Sequence, residues 1–274
     1  MAILDSTIIK IIMVKEFYTY FTNRRKKIQK KVENDEITDV QVIFSGYGLD
    51  VLTSFAFSVS IDAINHPNDL VITHIKNFIK FRLFNPVLIL AVLNKLKLTM
   101  FPKSSVDFFL KVFKKLKEDR LKKDRMVSLD FFDSCLLFFS GPHELALTDE
   151  ELFTQSLFFL FGGYKLVGTT LSCISYCLAT HPDVQKKLYQ EINDTFPNQT
   201  PPTYDALHQM EYLDMVVNET FRLYTPGTRL DRICKKTVKI NGVTIPEGTV
   251  VMIPTYVLHR MPEYWPEPEE YRPE

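Results

Sequence analysis

Residues 218–229 read NETFRLYTPGTR. An acid, Glu219, and a base, Arg222, stand three apart in an apolar setting, with Met215, Val216 and Val217 before them and Phe221, Leu223 and Tyr224 around and after. On a helix surface such a pair adds about 0.2–0.5 kcal/mol. Buried, it persists only where further hydrogen bonds offset desolvation, and losing one partner then costs about 3–5 kcal/mol. Spacing alone leaves both readings open; the buried one demands a third partner.

The pattern around the pair is helical from 211 to 224 and stops at Pro226. Beyond it the period shortens. Val238, Ile240, Val243 and Ile245 flank Asn241-Gly242, a strong hairpin signal, and a further strand is expected from 249 to 253. A tail rich in proline and acid closes the sequence. Upstream the reading is almost wholly helical: 39–60, 70–98 with an interruption at Asn85-Pro86, and a basic amphipathic helix from Pro102 to about Arg125. Thr148 with Glu151 forms a capping box. From there an apolar run continues to about Thr180 without a proline. A helix that long, apolar nearly all round, is expected to pass through the middle of a domain. Pro182 opens the next helix and Thr203 caps a short one.

Within the long run, Gly162 and Gly163 stand side by side. Each costs about 1 kcal/mol relative to alanine in a helix. A flat ligand against the backbone, close helix packing or a kink would each account for them.

Lys+Arg 33 balances Asp+Glu 33, so whole-chain charge does not point to nucleic acid. The basic cluster at residues 24–31 reads as a solvated face or linker. The four cysteines (135, 173, 177 and 234) suggest no disulfide framework, and Cys173 and Cys177 read as buried thiols. The first residues carry Asp5, Lys10 and Lys15 and make neither a good signal peptide nor a membrane span; membrane contact is expected rather than crossing. No catalytic triad, phosphate loop or metal spacing is readable.

The residues do match a known family. Glu219-Thr220-Phe221-Arg222 fits an E-x-x-R motif, and the likeness continues along EYLDMVVNETFRL (211–223), RICKKTVKINGVTIPEGTVVMIPTYVLHR (232–260) and LATHPDVQKKLYQEIN (178–193). The chain resembles the cytochrome P-450 heme-thiolate monooxygenases of the 3A type, closely from about 147 to 274 and more faintly at 15–25 and 42–57. The resemblance implies a mainly α fold with a small β region, a partial cytochrome P-450 architecture built on one long central helix, forming a single incomplete domain over 1–274.

It further implies heme as cofactor, with Gly162 and Gly163 beside the porphyrin and Arg232 on a propionate. Phe161 and the segment Pro226, Gly227, Thr228, Arg229 and Leu230 would contact substrate, and residues 83–101 would form a membrane-facing cap. The implied activity inserts one oxygen atom from dioxygen into lipophilic substrates such as steroids and xenobiotics. Electrons would come from an NADPH-dependent reductase, at the endoplasmic reticulum membrane. Lys165 and Leu166 stand where the family carries an acid-threonine pair that delivers protons. The family's cysteine ligand is expected beyond Glu274, several tens of residues between Arg25 and Asp39 are expected to be missing, and the membrane anchor is not in this sequence. The third partner of Glu219 and Arg222 is expected to be an arginine after a Pro-Glu pair, one position past Pro273-Glu274. The alternative is a catalytically inactive fragment or pseudoenzyme, at most an apolar-ligand or interaction module.

Overall fold

A computed structural model describes residues 39–63, 65–66, 68–79, 102–122 and 148–274. The expectations for 15–25, the basic cluster at 24–31, the cap at 83–101, the later part of the 70–98 helix and Cys135 lie outside the described residues. The chain divides into two compact units, Met1–Thr169 and Thr170–Glu274. The described residues are mainly helical, with a small strand region.

In the first unit, α1 (Val40–Phe57) begins at Asp39, whose carboxylate accepts from the Gln41 and Val42 amides at 2.9 and 3.3 Å. It stops at Ser58, which takes a left-handed φ of 51°. Helices α2 (Leu70–Ile79) and α3 (Lys103–Lys122) meet through Phe78 and Phe109, and α3 reaches α1 through Phe113 and Phe57. Phe109 is wholly buried, and the Arg120 guanidinium donates to the Phe57 carbonyl at 2.7 Å. Helix α4 (Asp149–Phe161) starts at the capping box: Thr148 Oγ1 accepts from the Glu151 amide and Glu151 Oε2 accepts from the Thr148 amide.

From α4 the chain runs unbroken through a π-helical turn, Gly162–Val167, into α5 (Gly168–Thr180). The long helix expected from the sequence is present. It is not buried all round, however. In α4 only Leu152, Ser156 and Leu160 are buried, four apart and therefore on one face, while Phe158 is exposed. Both α1 and the run Asp149–Thr180 are long and apolar enough to cross a bilayer. In α1 and the π turn that apolarity goes into packing one helix against the other.

In the second unit, α6 (Pro182–Thr195), a 3₁₀ turn (Pro197–Gln199), α7 (Tyr204–His208) and α8 (Glu211–Leu223) follow α5. Helix α8 has no side-chain cap of its own. Glu191 of α6 supplies one, accepting from the Tyr212 and Leu213 amides at 2.8 and 2.9 Å. The carboxylate also complements the positive end of the α8 dipole. Val216, fully buried, packs with Cys177, Val184, Leu188 and Tyr271.

Strands β2 (Val238–Ile240) and β3 (Val243–Ile245) pair around Asn241 and Gly242, with φ of 48° and 83°, as a primed turn requires. The strand expected at 249–253 is β4 (Val250–Ile253). It pairs with β1 (Leu230–Ile233), a strand the sequence does not announce, so the four strands among the described residues form two separate antiparallel pairs. A short α9 (Thr255–Leu258) leads into the tail.

Candidate functional site

The apolar stripe of α8 turns inward and carries Glu219 and Arg222 with it; the two are 7 % and 5 % exposed. Their side chains meet in a fork: Arg222 Nε donates to Glu219 Oε2 at 2.7 Å and Nη2 to Oε1 at 2.8 Å. The remaining guanidinium hydrogens go to backbone carbonyls of the tail. Nη1 donates to His259 O at 2.9 Å and Pro268 O at 2.6 Å, and Nη2 to Glu270 O at 2.8 Å. An arginine has five N–H donors, and all five are used. The Arg272 amide completes the other half by donating to Glu219 Oε1 at 2.8 Å.

The extra partners are therefore main-chain groups between 259 and 272, within the chain. The sequence reading placed the third partner in an arginine past Glu274. A guanidinium with no free donor cannot move a proton or bind a ligand here; it ties the tail to α8. The indole of Trp265 lies 5.0 Å from the Arg222 Cζ, adding a cation–π contact.

One turn away, Tyr271 closes the same seam. Its hydroxyl donates to Val216 O at 3.0 Å and lies 3.1 Å from Thr220 Oγ1. Burial pushes the phenol up to about 12, and the Cys177 thiol beneath it up to about 11, again mainly by burial. Tyr271, Trp265 and the 259–272 backbone went unnoticed in sequence reasoning. The single tryptophan of the chain, set in a proline-rich tail, was the available signal.

The other candidates are dispersed. Gly162 and Gly163 lie in the π turn, both buried, with Phe161 half-buried just before it. A Cβ at Gly163 would stand 2.8 Å from Leu52 Cβ and 3.0 Å from Gly48 O; one at Gly48 would stand 2.2 Å from Gly163 O. Gly168 is as tight against Ser45, at 2.6 Å from its Cα. Of the three explanations the sequence left open for the glycines, close helix packing and a local change of helix type are both present. Lys165 and Leu166 follow, half-buried.

In the second unit Pro226, Gly227, Thr228, Arg229 and Leu230 are exposed. The Gly227 carbonyl accepts from the Thr225 and Thr255 hydroxyls at 2.9 and 2.8 Å, and Arg229 pairs with Asp231 at 3.3 Å. Arg232 is exposed, and its guanidinium donates to the neighbouring Asp231 carbonyl at 3.0 Å. The structure thus brings Glu219 and Arg222 together and places the 226–230 segment and Arg232 along one extended run. The Phe161–Leu166 group belongs to the other unit.

An iron-binding thiolate needs a low thiol pKa in an accessible, electropositive setting. Cys173 and Cys177 do not offer one. Cys177 is 2 % exposed and pushed up; Cys173 is also pushed up by burial. Cys234 Sγ donates to the Lys236 carbonyl at 3.0 Å within the strand region. No group of three or more His, Cys, Asp or Glu side chains stands at metal-binding distance among the described residues. These residues do not fit the ligation of an iron centre.

A family model described as Cytochrome P450 matches residues 10–274. Cytochrome P450 3A28 of Bos taurus is 42% identical over 337 residues, with 100% of this chain and 66% of that protein covered. Cytochrome P450 3A29 of Sus scrofa is 40% identical over 337 residues, covering 100% and 67%. Cytochrome P450 3A1 of Rattus norvegicus is 43% identical over 261 residues, covering 91% and 52%. The chain spans about two thirds, or less, of the length of these relatives. The two 337-residue matches also exceed the 274 residues of this chain, so the relatives hold residues inside the matched span that this chain lacks. The chain belongs to the cytochrome P450 family, as a partial chain of the 3A type, and the family's cofactor is heme.

Proposed function

We propose, from that membership, that this chain forms part of the scaffold of a heme-dependent monooxygenase that inserts one oxygen atom from dioxygen into lipophilic substrates such as steroids and xenobiotics. Electrons come from an NADPH-dependent reductase, and the enzyme works at the surface of the endoplasmic reticulum membrane. The observation that carries this reading is the buried Glu219–Arg222 fork with its five filled donors. Its hydrogen bonds offset the desolvation of the pair and hold the tail against α8. In this reading the iron ligand is supplied by residues other than those described, and the 226–230 segment with Phe161 contacts substrate. Arg232 holds a propionate, and the 162–163 glycines lie beside the porphyrin.

A second reading is favoured by the π turn and the cysteines. Gly163 is in contact with Leu52 and Gly48, Lys165 and Leu166 replace the expected proton-delivery pair, and no described thiol is poised as a ligand. The chain is then catalytically inactive, an apolar-ligand or interaction module. One experiment separates the two. The purified full chain is reconstituted with hemin, reduced and exposed to carbon monoxide. Stoichiometric uptake with the long-wavelength Soret band of thiolate-ligated iron supports the monooxygenase. A protein that melts cooperatively yet takes up no heme supports the inactive module.

A further inference from the structure

Between α3 and the start of α4 runs a groove of about 330 Å³, near the lower end of the ~300–1,000 Å³ usual for small-molecule sites. Its floor is apolar: Phe113 and Leu152 are buried, and Phe153 meets Phe113 edge-on at 5.9 Å between ring centroids. Leu110 extends the apolar wall to the surface, 41% exposed. The rim is cationic. Lys111, Lys114 and Lys117 fall on one stripe of α3, three residues apart, and among the described residues Asp149 is the single acid lining the groove. Lys117 pairs with that acid. Lys111 and Lys114 are both exposed and have no ionic or hydrogen-bonding partner among the described residues.

We infer that this groove binds a single-chain carboxylate amphiphile, a medium-chain fatty acid, with its alkyl chain on Phe113, Leu152 and Phe153 and its head between Lys111 and Lys114. Each half of the site argues for the same occupant. A small inorganic anion would satisfy the lysines and leave the apolar floor wet. An alcohol or alkane would cover the floor and leave two cations unpaired. A cationic amphiphile would meet a rim whose charges among the described residues, three lysines against one aspartate, are net positive. The groove belongs to the first unit and the Glu219–Arg222 network to the second, and the groove needs no heme.

The test is calorimetric titration of the full chain with decanoate held below its micelle-forming concentration, beside decanol, decyltrimethylammonium and phosphatidylserine vesicles. Saturable one-to-one decanoate binding is expected, stronger than decanol and without binding of the cation. Lys111→Glu and Lys114→Glu, both on exposed side chains, should each weaken it about tenfold or more. Leu110→Asp should weaken it through the wall, with the melting temperature of all three variants unchanged. The inference is overturned if the folded chain does not bind decanoate, if decanol binds equally well, if the charge reversals have no effect, or if vesicles bind while monomeric decanoate does not.

Discussion

The two units of this chain are held by opposite means. Near residues 45–52 and 162–168 the first relies on missing side chains: Gly48, Gly163 and Gly168 let two backbones approach until any added Cβ would collide. Around Glu219 and Arg222 the second relies on polar pairing, every donor of Arg222 being matched to an oxygen. A dry glycine contact tolerates no extra atom. A buried ion network tolerates no missing one. The contrast says where each unit will break and by which kind of substitution.

The largest effect is expected at the network. Arg222→Ala leaves the buried Glu219 carboxylate with the Arg272 amide alone and three carbonyls without their guanidinium donor, and should cost about 3–5 kcal/mol by denaturant unfolding, read from the second unit. Arg222→Lys keeps the charge but offers only three donors from a point-like head. It should fall between wild type and Arg222→Ala. Recovery of full stability by lysine would reduce the fork to simple charge pairing.

Gly48→Ala attacks the other kind of contact. A methyl 2.2 Å from a carbonyl oxygen forces α1 away from the π turn, at about 1–3 kcal/mol for overpacking. Gly163→Ala should act at the same contact, and the pair together should cost less than the sum of the singles, because the first displacement opens room for the second. Full additivity in a double-mutant cycle would show that the glycines do not share one contact.

Raised pH should loosen the second unit. The folded-state values of Cys177 and Tyr271 are both raised, so their contribution is fully present below the ordinary values of 9.0 and 10.0. It is lost as pH climbs through about 11 for the thiol and about 12 for the phenol. Urea midpoints measured across that range should fall for the wild type. Tyr271→Phe should flatten the upper part and Cys177→Ala the lower part. The smallest effect is expected at the capping box, where Thr148→Ala should cost about 1 kcal/mol, seen as fraying at the start of α4.

The sequence was most informative where chemistry is local. Thr148 with Glu151 and Asn241-Gly242 each determine a few backbone bonds from neighbouring residues, and each forms as the pattern requires. Glu219 and Arg222 identified the family, yet the main-chain partners they meet within the chain were not read. The acceptors are main-chain carbonyls at 259, 268 and 270, positions set by how a proline-rich tail folds back and by nothing in its side chains. Gly163 was ambiguous for a related reason: a helical glycine says that something comes close, and only the path of α1 shows that it is Leu52 and Gly48. Strand β1 escaped because Leu230–Ile233 is exposed along its whole length and lacks the in-out alternation that marks a half-buried strand.

The claim at the centre of this account is that a main-chain clasp on Glu219 and Arg222 holds the tail in place. The Arg272 amide reports on it directly, because its hydrogen is committed to Glu219 Oε1 at 2.8 Å. Hydrogen exchange of that amide should be strongly protected in the wild type. In Arg222→Ala it should exchange orders of magnitude faster together with the rest of 259–272, while the amides of α1 keep their protection. An Arg272 amide that exchanges freely in the wild type, or that stays protected in Arg222→Ala, would contradict the clasp.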